Sequence, residues 1–186
     1  MKYLITFLSF VSVFLSQELT FPKEDLTFTI EAKYFIVEGN YFFRNNTDQF
    51  IRRNILYPFP QENQFGKVDS IYLLNLTSQK ILRYDKSKNS ISFSLETPSK
   101  DSTLIFIYYK QKIISDSVKY ILTTTRFWGR PFEYVEYKLI VDPSLEITKF
   151  SYEPNKEYLI EEKKIYYWEK ENFMPDRDMV FHYKRK

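Results

Sequence analysis

An antiparallel β-sandwich is the fold class this sequence predicts, either Ig-like or a larger meander or Greek-key sandwich, with a closed β-barrel as the alternative. Three observations predict it. The 186 residues include 18 Phe and 16 Tyr against 3 Gly and a single Ala, Ala32. Aromatic residues favour strands, and scarce alanine removes the best helix former. Apolar residues alternate with polar ones in run after run, which is the period of a half-buried strand. Polar turn-forming clusters separate these runs at hairpin spacing, giving about a dozen strands.

The elements follow in chain order. Met1-Lys2 is basic, Tyr3 to Leu15 is apolar apart from Thr6, Ser9 and Ser12, and Ser16-Gln17-Glu18 is polar. This is the order of a secretory signal peptide. It is expected over residues 1–16, with cleavage after Ser16, and leaves residues 17–186 as one domain. The apolar run is short of the ~20 residues of a membrane-spanning helix. Next, Leu26, Phe28, Ile30 and Ala32 alternate with Thr27, Thr29 and Glu31. Tyr57-Pro58-Phe59-Pro60 closes a strand, and Pro143 and Pro154 likewise fall at strand ends, where a missing N–H does least harm. Residues 68–113 read as a four-stranded meander with turns at 75–79, 85–89 and 97–102. Within it Ile91, Phe93 and Leu95 share one face. Residues 104–109 are apolar on both faces, as in a central strand. Val135, Tyr137, Leu139 and Val141 share a face opposite Glu136 and Lys138. Residues 155–164 fit either a helix capped by Asn155 or a hairpin. The hairpin is preferred, because Tyr158-Leu159-Ile160 and Ile165-Tyr166-Tyr167 flank a charged turn. Tyr166-Tyr167-Trp168 and Val180-Phe181 complete the strands.

Composition narrows the function classes. There is no cysteine. An exported product therefore has neither disulfides nor a lipidated N-terminal cysteine, and thiol catalysis and thiolate metal sites are excluded. The net charge is +3, from 27 Lys+Arg and 24 Asp+Glu with the signs interspersed. That is a solvated surface rather than a nucleic-acid footprint. With the leader's Lys2 removed no basic block remains except Lys184-Arg185-Lys186, too short for a membrane or nucleic-acid patch.

Motifs narrow them further. His182 is the one histidine, so a two-histidine metal motif cannot form. A Ser-His-Asp triad would have to use His182, which the run Val180-Phe181-His182-Tyr183 places as a strand residue. Gly39, Gly66 and Gly129 are too far apart for a phosphate-cradling loop or a nucleophile elbow. Two acidic pairs, Glu133 with Glu136 and Asp176 with Asp178, have the residue types for acid–base work. Asp176-Arg177-Asp178 also fits oxygen ligation of calcium, or more simply an ion pair with Arg177. In Thr123-Thr124-Thr125-Arg126-Phe127-Trp128-Gly129-Arg130-Pro131, the glycine and the last proline mark a loop between strands. Arg126 and Arg130 flank Trp128, a set able to grip an anionic or sugar-like ligand by hydrogen bonds and stacking. Alternatively, Phe127 and Trp128 plug one end of the sandwich. Trp168 leads into a second aromatic segment. Arg126, Trp128, Arg130, Trp168, Asp176 and Asp178 are therefore the candidate binding residues, with no catalytic or metal-ligating residue assigned. Asn45 and Asn75 begin glycosylation sequons.

The order of features resembles exported bacterial β-sandwich proteins of unknown function. The likeness rests on the leader, Tyr57-Pro58-Phe59-Pro60, the meander, residues 120–131 and Asn172-Phe173-Met174-Pro175. It implies a periplasmic or secreted protein and carries no catalytic residues. The expected function is a non-enzymatic extracytoplasmic interaction domain. Its partner would be a protein, met through an exposed aromatic surface or an unpaired strand edge. No cofactor, nucleic acid or membrane span beyond the leader is expected. A carbohydrate-binding module is the second reading and a carboxylate-based hydrolase the third.

Overall fold

The computed structural model describes residues 18–60 and 64–186; the leader expected over residues 1–16 lies outside them. The alternating runs form strands where the pattern places them. β1 (Leu19–Ile30) and β2 (Tyr34–Asn45) make a long antiparallel hairpin, in which Leu26, Phe28 and Ile30 face inward with Phe35, Val37, Tyr41 and Phe43. Ala32 falls in the exposed turn between them rather than in the strand. β3 (Ile51–Pro58) ends at the first proline of the Tyr-Pro-Phe-Pro motif.

The meander expected over residues 68–113 is divided between layers. β4 (Val68–Asn75) and the short β5 (Lys80–Ile81) form a hairpin in the main sheet. The chain then crosses to pair β6 (Asp85–Lys86) with β7 (Ser90–Thr97), and returns as β8 (Ser102–Lys112). β8 lies between β2 and β4, the central position its two apolar faces require. Hairpin spacing is a local signal. It fixes where the chain turns but not which layer the next strand joins.

β9 (Ser117–Tyr120) leads to a 3-10 helix (Thr123–Trp128), the one helix among the described residues. Gly129 ends it with φ 66°, and its N–H bonds the Arg126 carbonyl. This left-handed turn is the place where a glycine is required. β10 (Phe132–Val141) and β11 (Leu145–Phe150) follow. β12 (Lys156–Ile160) and β13 (Lys163–Phe173) form the hairpin preferred over a helix. Its two-residue turn holds Glu161 and Glu162 at φ 46° and 70°, the positive pair of a type I′ turn. β14 (Met179–Arg185) ends the fold.

The main sheet has eight strands in the order β12-β13-β10-β1-β2-β8-β4-β5. Its one parallel pair is β1 with β10, in register from Lys23↔Tyr134 to Ile30↔Val141. The second layer is two separate three-stranded sheets, β3-β7-β6 and β11-β14-β9. The first packs on the β2–β8 side, where Tyr57 meets Tyr41 and Tyr109. The second packs on the β13–β1 side, where Phe181 meets Phe28 and Trp168. This is a sandwich with open sheets and no closed barrel. No helix among the described residues is long and apolar enough to cross a membrane.

Trp168 shows how the core is fixed. Its indole is wholly buried between Phe150 and Phe181, and Nε1 donates to the Tyr152 carbonyl at 2.9 Å. Trp168→Ala should cost about 3–5 kcal/mol by cavity formation and lost transfer energy. Urea unfolding of the variant measures it, and a loss below 1 kcal/mol would contradict this packing.

Candidate functional site

The second layer is interrupted. Among the described residues, β3 is hydrogen-bonded to β7 on one side only, and β9 to β14 on one side only. Their ends converge at Tyr57 and Tyr120, whose hydroxyls reach Tyr41 Oη at 2.7 and 3.1 Å. Beyond that point a cavity of about 340 Å³ opens between β3 and the 3-10 helix. That is within the size range of small-ligand sites. Phe21, Glu24, Tyr41 and Phe43 of the main sheet form its floor. Ile55 and Tyr57 form one wall, and Thr125 and Trp128 the other. Leu56 (67 % exposed) and Phe127 (87 % exposed) stand at its mouth.

Glu24 is the one carboxylate among the described residues lining this cavity, and it is buried. It shares the inward face of β1 with Leu26, Phe28 and Ile30. Two hydroxyls satisfy it: Tyr137 donates to Oε1 at 2.8 Å and Tyr120 to Oε2 at 3.1 Å. Burial pushes its pKa from 4.5 up to about 7, Asp25 adds a little, and the two hydroxyl donors hold it back from rising further. Burial also holds Tyr41, Tyr57, Tyr120 and Tyr137 well above the ordinary tyrosine range, so they remain hydroxyls. The five groups form one continuous hydrogen-bonded chain from Tyr57 through Tyr41, Tyr120 and Glu24 to Tyr137. Gly39 makes room for it: a Cβ there would lie 2.6 Å from both Tyr41 Oη and Leu26 Cδ2.

The candidates from sequence divide. Trp128 packs its half-buried ring on Phe21 and Phe43, with centroids 5.6 Å away in each case. It is part of the plug, whereas its neighbour Phe127 points into solvent. Arg126 donates from Nε to the Pro175 carbonyl and from Nη2 to the Asp176 carbonyl, at 3.2 and 2.8 Å. Asp178 accepts from the backbone N–H groups of Leu122 and Thr123 and from the Thr123 hydroxyl. These contacts tie the 3-10 helix to the β13–β14 loop. Asp176 binds Arg177 and the Tyr152 hydroxyl, which hold its carboxyl below the usual carboxylate range. The ion pair with Arg177 is formed, and the described residues contain no cluster of three or more potential metal ligands. Arg130 is exposed past the helix, beside Trp128 but outside the cavity.

Trp168 has no face open to a ligand, so the two tryptophans do not form the row of exposed rings that sugar stacking needs. Glu133 is held by Arg44 at 2.7 and 3.2 Å, and Glu136 accepts from Tyr134; neither lines the cavity. Asn45 is buried, and its Nδ2 donates to the Gln49 and Pro98 carbonyls at 2.7 and 2.8 Å. The nitrogen a glycan needs is already engaged there. Asn75 is also buried, with Oδ1 capping the Ser78 N–H.

The sequence reading missed Glu24 and its tyrosines. A signal existed: extending the period-two face back from Leu26 puts an acid at an inward position. A bulge between Thr20 and Lys23 shifts the phase of the residues before it and hides that face.

No protein-family model matches this chain, and no curated protein does. Solved structures do share its fold. A candidate nutrient binding protein of Legionella pneumophila superposes with a TM-score of 0.74 at 12% identity, over 90% of this chain and 68% of that one. An M1 zinc metallopeptidase of Deinococcus radiodurans superposes at 0.55 and 8% identity, over 90% of this chain. The match spans 43% of that peptidase chain. At these identities the likeness is one of fold.

Glu24 makes stability depend on pH. Its folded-state pKa is raised, so its contribution is fully present below pH 4.5 and is lost as pH climbs to about 7. The loss is about 3 kcal/mol. Glu24→Gln keeps the shape without the charge and mimics the protonated acid, its Oε1 accepting from one tyrosine and its Nε2 donating to the other. The stability of wild type minus variant, from urea unfolding across pH, should fall by about that amount between pH 4.5 and 7.5. A flat difference would show that the carboxylate is not held in an apolar site.

Proposed function

We propose that this chain is a non-enzymatic, extracytoplasmic interaction domain, and that its cleft takes an extended segment of a protein partner. One observation carries the reading: among the described residues, no strand pairs with the outer backbone edge of β3 in the second layer. Consecutive residues of β3, from Arg53 to Pro58, line the cavity, which is what a strand seen edge-on presents. An added strand would gain main-chain hydrogen bonds from that edge, and alternate side chains would enter the pocket. The apolar floor and the exposed Leu56 and Phe127 favour an aliphatic or aromatic side chain there. Arg53 at the wall favours an acidic neighbour.

The lone carboxylate supports binding over hydrolysis, since glycoside hydrolysis by paired acids needs a second one ~5–10 Å away. A small apolar ligand in the same cavity is the second reading, favoured by the 340 Å³ volume. The extracytoplasmic location rests on the basic-apolar-polar order of residues 1–18. Fractionation of expressing cells tests it, and product confined to the cytoplasm would refute it.

Selection of a randomised twelve-residue peptide library on the immobilised protein tests the partner class. Recovered peptides should carry an apolar residue within a β-forming stretch. Leu56→Asp and Phe127→Asp, both at exposed positions, should each weaken them about tenfold or more. Peptides that bind the double variant as well as the wild type would place their site elsewhere.

A further inference from the structure

The hydrogen-bonded chain under the cleft has a proton count that decides what the cleft offers its ligand. This inference rests on the cleft being the binding site. With Glu24 ionised, the chain holds four hydroxyl protons and has four hydrogen bonds to fill. Tyr137 and Tyr120 donate to the carboxylate. Tyr41 then donates to Tyr120, because the Tyr120 proton is committed, and Tyr57 donates to Tyr41 for the same reason. Tyr57 lies at the cleft end of the chain, and its oxygen is left there as an acceptor.

Adding a proton to the carboxyl gives five protons for the same four bonds, so one must point out of the chain. Tyr137 is wholly buried in the core, whereas Tyr120, Tyr41 and Tyr57 all line the cavity, with Tyr57 at the end of the chain, so the surplus proton leaves on the cleft side. The hydroxyls therefore turn in sequence: Glu24 donates to Tyr120, Tyr120 to Tyr41 and Tyr41 to Tyr57. Tyr57 turns its proton into the cleft. No covalent bond other than that of the titrating proton changes.

We propose that Glu24 and its tyrosines are the specificity-determining element of the cleft. They make it accept hydrogen-bond donors, such as an N–H or O–H on an apolar group, when the acid is ionised. When the acid is protonated they make it accept hydrogen-bond acceptors, such as a carbonyl. The groups facing Glu24 are Asp25 from its own strand, Tyr41 from β2, Tyr57 from β3, Tyr120 from β9 and Tyr137 from β10. Tyr109 of β8 faces Tyr41 and Tyr57, and Arg53 stands at the cleft wall. The tyrosines stay protonated throughout, so the carboxyl is the group that switches near neutral pH.

Two probes of equal shape class and opposite polarity test this: indole, with one N–H and no acceptor oxygen, and acetophenone, with a carbonyl and no donor. Binding of each is followed by chemical-shift titration at pH 6 and pH 8. Two-unit pH change across a midpoint near 7 changes each competent population about tenfold. Indole should tighten by about that factor at pH 8 and acetophenone should weaken by it. Glu24→Gln removes the titration and should abolish the opposite slopes. In the ligand-free protein with tyrosine labelled at the ζ-carbon, the Tyr57 signal should move with the same midpoint as Glu24. A Tyr57 signal that stays fixed while Glu24 titrates overturns the proposal. So do probe affinities that are equal at both pH values, or slopes that persist in Glu24→Gln; in these cases the cleft reading stands. Probes that bind at neither pH overturn the cleft reading and the selectivity built on it.

Discussion

A carboxyl group buried among aromatic rings must either give up its charge or be surrounded by donors. Glu24 does some of each, and the arrangement of the sandwich follows from how it is satisfied. Its donors come from β9 and β10, and the hydroxyls behind them from β2 and β3. Four strands from both layers therefore have to be in register for one acid to be tolerated. The two half-sheets of the second layer share no backbone ladder. Where they approach each other, they are joined through hydroxyls to the floor of the main sheet. A polar network of this kind is specific because any partial loss leaves a buried group unpaired.

The cleft is the consequence on the other side of the same network. Tyr57 of β3 and Tyr120 of β9 both reach the Tyr41 hydroxyl, and the cavity lies between β3 and the 3-10 helix that follows β9. The helix is held from behind, by Asp178 on its first N–H groups and by Arg126 on the β13–β14 loop. The gap is thus framed by two independently braced walls. Residues that looked like ligand contacts in the sequence, Arg126 and Asp178 among them, are the bracing.

Strand identity was legible in the sequence because it is a local property. Leu26, Phe28 and Ile30, Ile91, Phe93 and Leu95, and Val135, Tyr137, Leu139 and Val141 all lie inward as their alternation requires. Layer membership was not legible, because β4 to β8 turn at hairpin spacing whether or not successive strands share a sheet. The parallel pairing of β1 with β10 joins segments about a hundred residues apart, and no local pattern encodes it. The site was obscured by residue type. Tyr41, Tyr57, Tyr120 and Tyr137 occupy inward positions where a ring suffices to explain them, and their hydroxyls become informative only when placed near one another. Trp128 and Trp168 illustrate the converse, since nothing in the pattern says which indole meets solvent.

An unpaired strand edge is ordinarily a hazard, because any passing strand can add to it. The free edge of β3 is guarded by its position. It faces the 3-10 helix across a gap of limited volume and carries Arg52 and Arg53. A sheet of another molecule cannot enter such a gap edge-on, whereas a single extended segment or a small ring can. Shape alone would leave the choice among such guests loose, because apolar contact is non-directional. Direction has to come from a polar group at the floor. Here that group is the end of a hydrogen-bonded chain whose other end is a buried acid. On the proposed function, the constraint that organises the fold also supplies an oriented polar contact beside the floor of the cleft, so stability and selectivity rest on the same proton.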